Sequence, residues 1–323
     1  MKRAFPIIDL GEGSEEGAAP AHLAEKIGVA CRDIGFFYVV NHGVDRDLTN
    51  AAFAQSRRFF ALPLADKQAI AIEKVGGNRG YFGLMGEALD PSRGPDLKES
   101  FNIGLDLAPD DRELLAGKPF RSLNAWPRLE GFRETLLAYY GACAALGARI
   151  HRAFARDLGL MPDHFADKFD RPMATLRLLR YPAAEKAADE PISAGTHTDY
   201  GNLTLLATDD VGGLEVRTRD GEWLEAPPLP GAFVVNIGDC LMRWTNDVYV
   251  STPHRVVNRS GRERYSIAFF YDPNPDAEVA VIPSCVEPGE PVRYEPVLAA
   301  DYLKLRLDAS KPEGLAASGA KVG

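Results

Sequence analysis

The sequence predicts a mixed α/β (α+β) protein in which a helical and mixed N-terminal half packs on an all-β C-terminal half. Two observations carry that expectation. One long apolar stripe of period 3.6 ends near residue 158, and seven short β-rich runs follow it with only turn signals between them. With no helix-length segment between the runs, a parallel βαβ sheet is excluded and an antiparallel sandwich or barrel is expected.

Taken in order, FPIIDL (5–10) reads as a short opening strand. Leu23, Ile27, Ala30 and Ile34 recur at spacings of four, three and four, which predicts a helix over 19–34 that Gly35 ends. The aromatic and β-branched run FFYVVN (36–41) reads as a buried strand. A second helix is expected over 47–62, stopped by Pro63. The Gly- and Pro-rich stretch 76–95 lacks periodic apolar positions and reads as loop. Leu136, Tyr140, Cys143, Ile150, Phe154 and Leu158 give the long helix, over 131–158, its core face. The β-rich runs lie at 174–181, 203–207, 214–217, 223–226, 233–237, 255–258 and 265–271, with turns such as Arg219-Asp220-Gly221 between them. No internal repeat or linker interrupts the chain. It divides by texture into an N-terminal region (1–120), a connecting helix (121–170), a β core (171–275) and a C-terminal extension packed on that core (276–323). The last fourteen residues, 310–323, have the composition of a disordered tail.

Composition narrows the function. The chain has 323 residues, 46% apolar and 26% charged, the balance of a soluble globular protein with a full core. A net charge of −9 argues against nucleic acid as partner, because phosphate contacts need clustered Lys and Arg. No run approaches the roughly 18 apolar residues that span a bilayer, and the N-terminus lacks the apolar core of a secretory signal. Cys31, Cys143, Cys240 and Cys285 form no CxxC pair and read as small buried hydrophobes, which suits a reducing cytoplasm. The expectation is a cytoplasmic, monomeric protein.

Chemistry gathers in the β half. His197 and Asp199 are two residues apart, so in an extended chain they project from one face and can reach a common metal. His254 in STPHRVVN opens the next plausible strand and is the obvious third ligand. Two His and one carboxylate on one face, with other positions open, suit an iron oxygenase. Ten residues on, Arg264 and Ser266 share a strand face amid Ile267, Ala268, Phe269 and Phe270. A guanidinium buried there without an anion would be costly, so its position predicts an anionic ligand, and its fork suits a carboxylate. The remaining histidines read as structural. His42 is expected to satisfy backbone near a strand end, and His22, His151 and His164, beside charged residues on helices, are expected in solvent.

HTDYGNLTLL, STPHRVVN and RYSIAFFYDPN together resemble the isopenicillin N synthase-like family of iron(II)- and 2-oxoglutarate-dependent dioxygenases. FPIIDL, DIGFFYVVNHGV, GYFG and KESFNIG extend the resemblance through the N-terminal half. It implies a distorted jelly-roll (double-stranded β-helix) core, and iron(II) held by His197, Asp199 and His254. It implies 2-oxoglutarate and O2 as cosubstrates, succinate and CO2 as coproducts, and Arg264 and Ser266 on the distal carboxylate. Tyr181 in LLRYP matches the tyrosine of the family's N-Y-Y-P segment and is implied at the cosubstrate. Leu179 and Arg180 depart from that segment, which removes one polar contact. Three other readings compete: a family oxidase that does not use 2-oxoglutarate, a zinc hydrolase, and a non-catalytic jelly-roll binding protein. Succinate production separates the first, the lack of a His-Glu-x-x-His helix weighs against the second, and turnover separates the third.

Alternation also sketches the substrate pocket. Arg177, Leu179 and Tyr181 share one face of their strand, and Arg264, Ser266, Ala268 and Phe270 share another. The expected wall combines Arg177 with Phe270, joined by Tyr81 and Phe101 from the N-terminal half. That predicts a small substrate with an anionic group and a ring or apolar portion, unless Arg177 pairs with an internal acid such as Glu87 or Glu99.

Overall fold

The computed structural model describes residues 4–11, 19–90, 94–183 and 192–309, so the tail expected to be disordered lies outside the described residues. The expected helices form. α1 (Ala21–Asp33) buries Leu23, Ala24, Ile27, Ala30 and Cys31. α2 (Arg46–Phe60) is capped by Asp45, whose carboxylate accepts from the Asp47 and Leu48 amides. Three short helices follow: α3 (Leu64–Ala69), α4 (Ile72–Val75) and α5 (Arg112–Leu115). The long helix α6 (Phe132–Asp157) buries Leu136, Tyr140, Cys143, Ile150 and Phe154, the stripe expected from the sequence, and α1 and α2 pack against it. α7 (Asp239–Trp244) and α8 (Ala299–Ala309) complete the helices.

The strands are β1 (Ile7–Asp9), β2 (Phe36–Val40), β3 (Gly80–Phe82), β4 (Glu99–Gly104), β5 (Thr175–Tyr181), β6 (Ile192–His197) and β7 (Leu203–Thr208). They continue with β8 (Leu214–Arg217), β9 (Trp223–Ala226), β10 (Phe233–Ile237), β11 (His254–Val257) and β12 (Arg264–Tyr271), then a small pair, β13 (Glu278–Val279) and β14 (Val297–Leu298). An eight-stranded sheet runs β1-β2-β10-β7-β12-β5-β4-β3, and a four-stranded sheet runs β6-β11-β8-β9. The large sheet rests one face on α2 and α6 through the main apolar core, which includes Phe59, Phe101, Phe132, Leu178 and Phe269. Its other face looks toward the small sheet, and the cavity lies between them.

Two differences from the sequence-based expectation have physical causes. The stretch expected as loop contains β3, three residues extended only because Tyr81 and Phe82 pair with Phe101 and Ser100 of β4. The N-terminal region also supplies four strands to the large sheet instead of only packing on it, with β1 and β2 at one edge and β3 and β4 at the other. No helix is long and apolar enough to cross a membrane among the described residues.

Candidate metal and cosubstrate site

His197 is the last residue of β6 and His254 the first of β11, and these two residues pair across the antiparallel ladder. Their rings lie 4.3 Å apart, centroid to centroid. His197 ends β6, and Asp199 follows it in the loop before β7. Asp199 Oδ1 stands 3.8 Å from His197 Nε2 and 3.7 Å from His254 Nε2. These three side chains can share one metal ion.

The surroundings fix each donor. Nδ1 of His197 faces the Gly195 carbonyl at 2.8 Å and Nδ1 of His254 faces the Thr252 carbonyl at 3.2 Å. That contact holds the proton on Nδ1 and leaves each Nε2 lone pair for a metal. Asp199 Oδ2 accepts from Thr204 Oγ1 at 2.6 Å and Asn236 Nδ2 at 2.7 Å, which leaves Oδ1 free. Burial, then the neighbouring His254, lower the His197 pKa, so its imidazole is neutral at physiological pH. Burial opposes ionisation of Asp199, but His254, His197, Asn236 and Thr204 outweigh it and lower its pKa. Thr204 and Asn236 were not anticipated. A lone Asn in the apolar run FVVNI is the signal for Asn236, because a buried amide needs a partner. Asn236→Ala is expected to weaken iron affinity about 10- to 100-fold, measured by equilibrium dialysis under anaerobic conditions. An unchanged affinity would remove Asn236 from that role.

The second cluster lies on the large sheet. Arg264 pairs with Tyr181 and Ser266 with Leu179 across β12 and β5. Arg264 is 1% exposed. Its Nε donates to the Gly212 carbonyl at 2.7 Å and its Nη1 to Ser266 Oγ at 3.2 Å. Its guanidinium also lies 4.8 Å from the Tyr181 ring centroid. Nη2 is buried with no partner, and no carboxylate pairs with this guanidinium among the described residues. A buried cation with an unused donor beside a hydroxyl fits one carboxylate of a dicarboxylic ligand. Where the family segment has Asn, Leu179 joins an apolar cluster with Tyr181, Ala194, Val256 and Ala268, so this wall gains no polar replacement at that position. Arg180 faces away and pairs with Glu99 and Glu263.

Both clusters open into one cavity of about 190 Å³, lined also by Arg177, Phe270, Lys98, Asn102, Leu303 and Leu307. Arg177 and Phe270 are therefore at the wall, as expected. Tyr81 and Phe101 are not. Phe101 pairs with Leu178, of opposite parity to Arg177, so it points to the helical side, 4.6 Å from Phe59 and 5.5 Å from Phe132 between ring centroids. Tyr81 pairs with Phe101 and donates to Glu99 Oε2 at 2.6 Å. Ser100 and Asn102, on the other parity of β4, stand beside Arg177 instead.

Arg177 binds Glu87 and Ser100 through Nη2, the internal pairing weighed against a free cation. Burial alone would raise the Glu87 pKa, but Arg177 and then Lys98 pull it down to about 2. Lys98 Nζ also donates to Asp96 at 2.7 Å. At the far side of the cavity Asp272 accepts from the Asn202 amide, and burial pushes its carboxyl up to about 7.

The other histidines divide. His42 takes the structural role expected, with Nε2 at the Gly231 carbonyl and Nδ1 accepting from the Val44 amide. His151, expected in solvent, is 3% exposed. Its Nδ1 meets the Gly147 carbonyl and its Nε2 the Asn202 amide, and Phe169 and Tyr271 pack on its ring. The neighbouring Arg152 and Arg156 are exposed, whereas His151 turns into the core. All four cysteines are buried and free.

Comparisons with known proteins agree with this geometry. Residues 5–129 match the non-haem dioxygenase in morphine synthesis N-terminal family, and residues 173–273 match the 2OG-Fe(II) oxygenase superfamily. The 2-oxoglutarate-Fe(II) type oxidoreductase hxnY of Emericella nidulans is 38% identical over 309 residues, 93% of this chain and 88% of that protein. A homoarginine-6-hydroxylase of Oryza sativa subsp. japonica is also 38% identical, covering 93% and 95%. A putative 2OG-Fe(II) oxygenase family protein of Caulobacter crescentus superposes with a TM-score of 0.85 at 35% identity, covering 95% of this chain and 99% of that one. A Neurospora crassa protein solved with alpha-KG and thymine gives a TM-score of 0.84 at 32% identity, covering 95% and 97%.

Proposed function

Because the chain belongs to the isopenicillin N synthase-like 2-oxoglutarate- and iron(II)-dependent oxygenases, we propose that His197, Asp199 and His254 hold its iron and that Arg264, Ser266 and Tyr181 hold 2-oxoglutarate. The protein is an enzyme, a dioxygenase that oxidises a small organic substrate. Iron(II) with 2-oxoglutarate supplies the dioxygen chemistry, with succinate and CO2 as coproducts. The chain's own residues do the rest. His197, Asp199 and His254 would hold the metal, Arg264 and Ser266 would hold the distal carboxylate, and the apolar wall of Leu179, Ala194, Val256 and Ala268 would keep water from the keto acid. The observation that carries the assignment is Arg264 Nη2, a buried cationic donor with no acceptor, opening on the same cavity as the triad.

The substrate reading is finer. It is a small molecule that presents an anionic or strongly accepting group to Arg177 and an apolar or ring portion to Phe270. Two observations support it. Arg177 Nε is a buried donor without a partner. Phe270 stands on the wall of the same cavity, packed with Leu206 against the apolar cluster of Leu179, Tyr181, Ala194, Val256 and Ala268. Small polar molecules also occur with the relatives, one named for homoarginine and one solved with thymine. Thermal-shift screening of the anaerobic iron, 2-oxoglutarate form against metabolites identifies the ligand. Arg177→Ala is then expected to raise substrate KM about tenfold or more while substrate-free decarboxylation of 2-oxoglutarate stays near wild type. If both activities fall together, Arg177 serves the cosubstrate site or the fold. Four free, buried cysteines suit a reducing cytoplasm.

A further inference from the structure

The last described helix contributes to the wall of the cavity. Leu303 and Leu307, one turn apart on α8, line it. Along that helix Tyr302 and Leu303 pack against the main core, and the Arg243 guanidinium lies 5.7 Å from the Tyr302 ring centroid. The helix's only buried residues are Ala299 and Ala300 in the first turn, where their amides donate to the Ala277 and Pro275 carbonyls. Beyond that turn Lys304 pairs with Asp308 within the helix, and one ion pair reaches another element: Arg306 Nη1 lies 2.5 Å from Asp239 Oδ2 of α7. The Arg306 guanidinium also lies 4.6 Å from the centroid of the Tyr200 ring, another residue at the cavity, and donates to Tyr302 Oη at 3.3 Å.

Asp239 is tied to the metal loop from its other side. It is 3% exposed at the first position of α7. Its Oδ2 accepts from Thr198 Oγ1 at 3.0 Å, and its amide donates to the Asp199 carbonyl at 2.8 Å. Thr198 lies between His197 and Asp199. One carboxylate therefore joins a helix of the cavity wall to the loop that carries two of the candidate metal ligands.

We propose that Arg306 is a positioning residue of the site: its ion pair with Asp239 holds Leu303 and Leu307 as the apolar wall of the substrate cavity and couples that wall to the His197–Asp199 loop. The proposal rests on the reading of the triad as the iron site. The physical basis is that Asp239, nearly fully buried, depends on Arg306 for its only cationic partner among the described residues. Loss of Arg306 leaves that charge to a hydroxyl and the backbone, and the end of α8 loses its main polar attachment. Coupling is reciprocal: the factor by which loading the metal loop favours docked α8 is the factor by which docked α8 favours loading.

The test is hydrogen exchange read by mass spectrometry on the full chain, with and without anaerobic iron(II) and 2-oxoglutarate. Arg306→Gln is expected to speed exchange of the α8 amides beyond its first turn on the order of tenfold, with Arg306→Lys between it and wild type. Leu305→Ala, an exposed site on the same helix, is the control and is expected to match wild type. In wild type, loading the site slows exchange both in the metal loop and in α8. In Arg306→Gln it slows exchange in the loop alone. Unchanged α8 exchange in Arg306→Gln would overturn the positioning role, and an α8 response to loading that survives in that variant would overturn the coupling. If loading protects the metal loop in neither protein, the iron assignment fails instead, which is a separate result.

Discussion

Replacing Asp199 with Ala is expected to abolish succinate production and to lower iron(II) affinity by more than about a hundredfold. The carboxylate is the only anionic member of the triad, and its Oδ1 faces both imidazole Nε2 atoms at under 4 Å. Its removal also strands two donors, Thr204 Oγ1 and Asn236 Nδ2, in a buried pocket. Outer partners of metal ligands are worth about 10- to 100-fold each, so losing the ligand with its partners exceeds that. The measurement is anaerobic iron titration followed by a succinate assay under air. Circular dichroism separates loss of metal from loss of fold. An Asp199→Ala protein with wild-type succinate production would show that the iron is held elsewhere.

Arg264→Lys is expected to raise the apparent Kd of 2-oxoglutarate about 30- to 1,000-fold. That range corresponds to about 2–4 kcal/mol for a buried, charge-assisted contact reduced from a planar fork to a point charge. The geometry gives a reason to expect the upper half. Arg264 spends Nε on the Gly212 carbonyl and Nη1 on Ser266, so the orientation of its unused Nη2 is fixed by bonds that an ammonium cannot reproduce. Isothermal titration of 2-oxoglutarate into the anaerobic metal-loaded protein reads the effect, and iron affinity serves as the internal control. An unchanged 2-oxoglutarate affinity would place the distal carboxylate elsewhere.

What could be read from the chain follows from which signals are local. Alternation in one strand placed Arg177, Leu179 and Tyr181 on one face and Arg264, Ser266, Ala268 and Phe270 on another, and both faces meet the cavity. The long stripe of α6 is core for the same reason, since a helix carries its own period. The His197, Asp199 and His254 set was recognisable because residue type and spacing alone narrow the chemistry.

The misplacements share the opposite property. Tyr81 and Phe101 were assigned to the pocket, but which face of β4 meets the cavity depends on its register against β5, a pairing across more than seventy residues. One residue of slip exchanges Phe101 for Asn102, and only the packing of Phe101 on Phe59 and Phe132 against the sheet decides it. His151 needed Asn202, from a distant loop, before it could be seen as a satisfied core histidine. The wall of Leu303 and Leu307 and the Asp239–Arg306 link join segments whose neighbours in sequence say nothing about each other. The sequence thus carried the reaction class, and it named the candidate metal ligands and candidate cosubstrate anchor that the structure brings to one cavity, because those reside in residue identity and short-range periodicity. The tertiary structure alone decided the rest of the cavity wall, because that wall is assembled from strand register and helix docking, and contacts between distant segments leave no periodic trace in the chain.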